Sequence, residues 1–241
     1  MKRILFALIL GISNVAQANV ILLDPGHGGD ETGAVGKLSG KRQVFEKDLS
    51  LRLAQRIKQH LEKTHSVFLT RSIDRTVGLQ ERADMADKVK ADLFISVHFN
   101  SSTDAHAHGF ETYYLDNNKD AAVKKVEKQE NFTLKGEDLV VNQILIDLTI
   151  QQTVQASRAL ALAVHGRLKG HMKPTGITNR GVKAGLFYVL ALSKRPGLLL
   201  EAGFVSNSNE LKTVQQEEFM ERYAQGVAQG IRDYLKNKKG P

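Results

Sequence analysis

Two histidines and two glutamates stand where side chains could do chemistry. His27 lies in DPGHGG (24–29), His98 in SVHFN (96–100), Glu46 in FEKDLSLRLA (45–54) and Glu201 in LLLEAGF (198–204). Two imidazoles, one carboxylate and an open position make a zinc site of the His₂Glu type. Such an ion acidifies a water and polarises a carbonyl. Glu201 is then free to act as general base for the water and general acid for a leaving amine. Each residue also has a plainer reading. His27 could fill a turn, His98 could be a satisfied core histidine, and Glu46 could be an acid favoured in a first helical turn. Glu201 could pair with Arg180 or Lys183 as a buried ion pair. Spacing alone does not separate these readings, because the four residues are far apart in the chain.

Other chemistries fit less well. The chain has no cysteine, so thiol nucleophiles, thiolate metal sites and disulfides are excluded. It has no G-x-S-x-G elbow, no H-E-x-x-H helix and no phosphate-binding loop, since GHGGDETG lacks the Lys-Ser/Thr pair. His106 and His108 in DAHAHG (104–109) fall beyond a strand and read as surface-loop residues at the mouth of a site.

The elements that would carry these residues follow an α/β rhythm. NVILLD (19–24), SVFLTR (66–71), DLFISVHFN (92–100) and GFETYYL (109–115) read as strands, with further apolar runs in GLFYVL (185–190) and PGLLLEAGF (196–204). Residues 45–63 place Leu49, Leu53, Ile57 and Leu61 on one helical stripe, and helices are also expected over about 77–90, 144–170 and 208–237. The expected fold is a single α/β domain with a mostly parallel central sheet flanked by helices. In such sheets, sites form outside the carboxyl ends of the strands, where His27, His98 and Glu201 all fall. Glu46 lies on the stripe that faces the sheet.

Residues from about 117 to 152 break the rhythm with a charged stretch longer than a connection needs. Long connections of this kind are functional lids or solvated excursions. A partly helical lid is expected, with Ala122, Val126 and Phe132 offering apolar contacts. At the other end of the chain, Lys2 and Arg3, an apolar run from Ile4 to Ile12 and Ala16-Gln17-Ala18 form the pattern of a secretory leader over residues 1–18. The catalytic domain is therefore expected over 19–241, exported, without a transmembrane anchor, and monomeric. A formal net charge of +8 suits an anionic polymer or membrane surface. Nucleic acid is not expected, because no binding motif accompanies the charge.

ILLDPGHGG, FEKDLSLRLA, RSIDRTVGLQERADMAD (71–87), ADLFISVHFNS, GFETYYL and LLLEAGFVSN together resemble the zinc-dependent N-acetylmuramoyl-L-alanine amidases of bacterial cell walls. The resemblance implies one Zn²⁺ bound by His27, Glu46 and His98, with Glu201 as catalytic acid/base. It also implies a peptidoglycan substrate cut between N-acetylmuramic acid and L-alanine. Division-associated members of the family carry a segment after the ETYYL motif that lies across the site, with an acidic residue on the metal, until an activator protein removes it. Glu127, Glu130, Glu137 and Asp138 are the acidic candidates here, and Glu130 is the expected contact. On this reading Gly26 serves a sharp turn, while Gly28 and Gly29 keep side chains out of the substrate's path. A catalytically silent wall-binding or regulatory module, and a zinc hydrolase of another substrate, are the alternatives.

Overall fold

A computed structural model describes residues 18–38, 42–117, 120–130 and 137–238. The leader pattern falls almost wholly outside the described residues. Six strands form the central sheet: β1 (Val20–Pro25), β4 (Ser66–Leu69), β5 (Leu93–Asn100), β6 (Phe110–Leu115), β7 (Asn179–Gly185) and β8 (Gly197–Phe204). Their order is β4-β1-β5-β8-β6-β7, and every pairing is parallel except β6 with β8. The expected α/β class and mostly parallel sheet are what the structure shows. A small hairpin of β2 (Val35–Lys37) and β3 (Gln43–Phe45) leads into α1 (Glu46–Leu61).

The two faces of the sheet are covered by different helices. One face carries Ile21, Leu23, Ile95, Val97, Leu198 and Leu200 against α1, α4 (Glu137–Met172) and α7 (Glu217–Lys238). The other carries Leu22, Phe94, Tyr113 and Leu199 against α2 (Leu79–Lys88), α3 (Ala121–Glu130) and α5 (Tyr188–Ser193). Strands buried on both faces read as continuous apolar runs, which is why β1, β5 and β8 stand out in the sequence. Alternation along β5 places Ser96 and His98 on the second face, away from Ile95, Val97 and Phe99.

Three elements differ from expectation. GLFYVL is no single unit: Gly185 closes β7, and Tyr188–Leu190 open α5. The last helix is broken into α6 (Ser208–Val214) and α7. The charged segment forms α3, and the long helix expected over 144–170 begins earlier, at Glu137. Val123 and Val126 of α3 and Ile146 of α4 are buried in the same cluster as Leu115, Phe187 and Leu190. Among the described side chains of α3, Val123 and Val126 are its buried apolar anchors, each contributing about 1.5–3 kcal/mol when fully buried. Ala122 and Phe132 lie outside the described side chains.

Candidate metal centre

The first donor sits on a backbone turn clamped from beneath. β1 ends at Pro25, and Gly26 N–H donates to Val97 O at 3.0 Å. His27 follows with φ +57, a left-handed conformation rare for a residue with a side chain. Two buried arginines hold it there. Arg71 donates to Pro25 O and Gly26 O, and Arg82 donates to Pro25 O and His27 O at 3.0 Å. Asp24, fully buried, anchors Arg82 and accepts from Thr70 and Ser96. Burial opposes charge on Asp24, but Arg82 and the Thr70 hydroxyl outweigh it and hold the carboxyl below its ordinary range. Gly29 N–H donates to Asp74 and Asp30 N–H to Thr76, while Lys47 bridges Gly29 O and Asp74. RSIDRTVGLQER is thus the support of the histidine loop.

The glycines act through packing. A Cβ on Gly26 would fall 2.3–2.6 Å from three atoms of the His98 ring. One on Gly33, at φ +64, would meet His27 Cδ2 at 2.5 Å and Glu46 Oε2 at 2.6 Å. These two residues leave room for the donors. Gly28 and Gly29 face the support, where a Cβ would lie 2.2 Å from Arg75 O and from Thr76 Oγ1 respectively. This corrects the expectation that they open a path for substrate.

Glu46 is the first residue of α1, and two backbone amides fix both its oxygens. Ala34 N–H donates to Oε2 at 2.8 Å and Phe99 N–H to Oε1 at 3.0 Å. The carboxylate lies 3.2 Å from His27 Nε2 and 3.0 Å from His98 Nδ1. Glu130, the last residue of α3, adds a second carboxylate oxygen at 2.8 Å from His98 Nδ1 and 3.6 Å from His27 Nε2. All four donor atoms lie within 4.8 Å of one another. His27 Nε2 and Glu130 Oε2 are buried without any hydrogen-bond partner. Two imidazole nitrogens and two carboxylate oxygens converging on one point, with two of them orphaned, fit a divalent cation of the zinc type. Burial alone would raise the Glu46 carboxyl, yet His27 and His98 bring it well down. Burial alone would lower His98, yet Glu130 and Glu46 raise it well above its ordinary value.

Glu201 lies in register with His98 on β5 and with Glu111 on β6. It is wholly buried, and neither oxygen has a hydrogen-bond partner. Burial, with the Glu130, Glu46 and Glu111 charges adding to it against His98, pushes its carboxyl well above the ordinary range. The pairing of Glu201 with Arg180 or Lys183 does not occur, because both cations bind Glu111 instead. Glu127 faces away from the cluster, accepting from Leu186 N–H at 2.6 Å and pairing with Lys124. The side chains of Glu137 and Asp138 lie outside the described residues. His106 and His108 are in the loop before β6, where His108 Nδ1 meets His106 O.

Two cavities flank the cluster, and Glu130 borders both. One of about 180 Å³ is lined by His27, Glu31, Val77, Leu79, Arg82 and Phe187 among others. The other, of about 320 Å³, is lined by His27, Gly33, Ala34, Glu46, Phe99 and Ser101. No helix among the described residues is long and apolar enough to cross a membrane.

Fold and site define an α/β domain with a metal-capable His/Glu cluster at the carboxyl edge of its sheet. The family described as N-acetylmuramoyl-L-alanine amidase matches residues 21–233, and the chain belongs to that family. It is 30% identical over 227 residues to N-acetylmuramoyl-L-alanine amidase AmiA of Escherichia coli (strain K12), covering 90% of this chain and 76% of that protein. Similarity to N-acetylmuramoyl-L-alanine amidase LytC of Bacillus subtilis (strain 168) is 28% over 226 residues, covering 93% of this chain. The chain spans only 37% of the length of LytC, and 52% of AmiC from Escherichia coli O6:H1. Among solved structures, an N-acetylmuramoyl-L-alanine amidase from Clostridium difficile 630 matches with a TM-score of 0.71 and 27% identity, over 93% of this chain and 100% of that one.

Proposed function

We propose that this protein hydrolyses the amide between N-acetylmuramic acid and L-alanine in peptidoglycan, and that α3 holds it inactive. The carrying observation is the four-residue cluster in which Glu130 of α3 meets His27, Glu46 and His98. His27, Glu46 and His98 would hold one zinc ion, which when bound supplies Lewis acidity and a readily deprotonated water. Everything else is the work of the chain. Ala34 and Phe99 fix Glu46, Arg71 and Arg82 fix the His27 loop, and Gly26 seats His98. Glu201 takes the proton of the attacking water and delivers it to the alanine nitrogen as the C–N bond breaks. Its buried, unpartnered carboxyl suits a group that must hold a proton and release it.

Glu130 occupies the approach a substrate carbonyl needs. Its place among the donors, and the small apolar footing of α3, support a lid that a partner protein can lift at modest cost. Export follows from the leader pattern, and the wall is then the substrate within reach, for remodelling or daughter-cell separation in the periplasm. Product analysis is the test. Residues 19–241 carrying Glu130→Ala are loaded with zinc and incubated with purified peptidoglycan, with Glu201→Ala added as control. Stem peptides beginning at free L-alanine, and intact glycan strands, are expected only without the control substitution. Cleavage elsewhere, or none by a folded zinc-bound protein, overturns the proposal.

A further inference from the structure

The carboxyl edge of the sheet has a direction that hydrolysis alone does not use. Past or near the carboxyl ends of β1, β5 and β8 stand His27, His98 and Glu201; beside them, near the amino ends of the oppositely running β6 and β7, stand Glu111 and Arg180, with Lys183 three residues further along β7. Register neighbours share a face of the sheet, about 5 Å apart. Glu111 is buried and is bonded by Arg180 Nε, by Lys183 Nζ at 2.8 Å and by the Tyr113 hydroxyl. Two cations therefore meet one carboxylate beside Glu201, with Glu210 also near Arg180. Both cations keep access to solvent, with side chains 34% and 24% exposed. Arg180 is also fixed in place, its guanidinium 5.2 Å over the Phe204 ring. Arg180 meets Glu111 through Nε and Lys183 through Nζ on the same oxygen, so the guanidinium and the ammonium each keep donors beyond that contact.

We propose that Arg180 and Lys183 form a subsite for a peptide carboxylate, carried by the residue that follows the alanine of the scissile amide. This rests on the amidase reading, in which Glu201 protonates the alanine nitrogen. The nitrogen then lies over β8, with the carbonyl on the side of His27 and His98. The peptide must leave toward β6 and β7, and the glycan toward the cavity of Glu31, Val77 and Arg82. A carboxylate on the next residue lies roughly two Cα steps, about 7 Å, from that nitrogen. The side chains of Arg180 and Lys183 reach from β7 back to Glu111 on β6, and from β8 to β6 is one strand spacing, which with a hydrogen bond matches that distance. A guanidinium and an ammonium side by side match a carboxylate.

The experiment compares muramyl-L-alanyl-D-glutamate with muramyl-L-alanyl-D-isoglutamine, in which an amide replaces only the α-carboxylate and the γ-carboxylate remains, using the zinc-loaded full chain with and without Glu130→Ala. The α-carboxylate substrate is expected to be favoured about tenfold in kcat/KM, chiefly through KM, the size of one charge-assisted contact. Lys183→Gln, which leaves Arg180 and Tyr113 on Glu111, should bring the ratio toward one, and Lys183→Arg should restore it. Calorimetry with chelated protein provides a readout without turnover. L-Alanyl-D-glutamate should bind more tightly than L-alanyl-D-isoglutamine, and Lys183→Gln should remove the difference. Equal cleavage and equal binding of the two forms by the Glu130→Ala chain overturn the subsite and leave the amidase standing. Absence of cleavage with discrimination still seen in binding overturns the amidase and keeps the subsite. Should Lys183→Gln fail to fold, the ratio in the Glu130→Ala chain still decides.

Discussion

Replacing Gly26 by alanine tests how the site is built, because Gly26 makes no contact a metal would need. The added Cβ would lie 2.3 Å from His98 Cε1, 2.4 Å from Nε2 and 2.6 Å from Nδ1. Carbon contacts settle at about 3.5–4.0 Å, so the ring must retreat by about 1 Å. The turn cannot yield instead: Gly26 N–H is bonded to Val97 O, and Gly26 O accepts from Ser50 and Arg71. His98 Nδ1 then leaves its place beside Glu46 and Glu130. Overpacking of this size costs about 1–3 kcal/mol of stability. Misplacing a ligand through its support costs about 10–100-fold in metal affinity. At saturating zinc a 100-fold loss removes about 2.7 kcal/mol of ligand stabilisation. Competition with a chromophoric chelator measures the affinity, and thermal unfolding with and without zinc measures the linkage. A folded Gly26→Ala protein that binds zinc as tightly as the parent would refute the packing argument and His98 as a donor.

Four further outcomes are expected. Glu130→Ala should raise peptidoglycan turnover by about tenfold or more, as a latch removed from a two-state lid would; an unchanged rate in dye-release assays would leave α3 without its role. Glu201→Gln should lower turnover by about 10²–10⁴ while zinc affinity stays within about threefold; joint loss of both would make Glu201 a structural residue. Glu111 has its carboxyl lowered from 4.5, since Arg180, Lys183 and Tyr113 outweigh burial. Its stabilising contribution is therefore present above about pH 4.5 and lost as pH falls below it. Urea midpoints from pH 6 to pH 3 should drop more steeply in the parent than in Glu111→Gln. Gly230→Ala would place a Cβ 2.4 Å from Val164 Cα where α7 crosses α4; a loss of about 1–3 kcal/mol is expected, and a neutral urea midpoint would show that the helices part freely.

What could be read from the sequence was what burial had written into it. β1, β5 and β8 are apolar on both faces, so His98 and Glu201 stood out as polar residues inside apolar runs. Glu46 was recognisable by its helical phase. β7 was hidden because it is an edge strand with mostly half-exposed residues, and β2 and β3, at three residues each, are too short to show alternation. GLFYVL is apolar in either conformation, so periodicity could not separate strand from helix. The work of Arg71, Asp74, Thr76 and Arg82 was invisible as chemistry, because each meets a backbone atom some 45 to 57 residues away. Only the resemblance flagged their motif. Glu130 is one of four acidic candidates, and what separates it from Glu127 is position along the helix: the two lie about one turn apart, Glu130 at the end of α3 reaching the cluster and Glu127 turning to Leu186.

The central claim is that His27, Glu46 and His98 hold a zinc ion which Glu130 closes off. A crystal structure of the zinc-loaded parent protein, with anomalous data at the zinc edge, tests it most directly. One tetrahedral ion is expected, with two imidazole nitrogens and oxygens of Glu46 and Glu130, each at about 2.0–2.2 Å. An ion held elsewhere, or held by the first three residues with Glu130 turned away and α3 off the site, would contradict it.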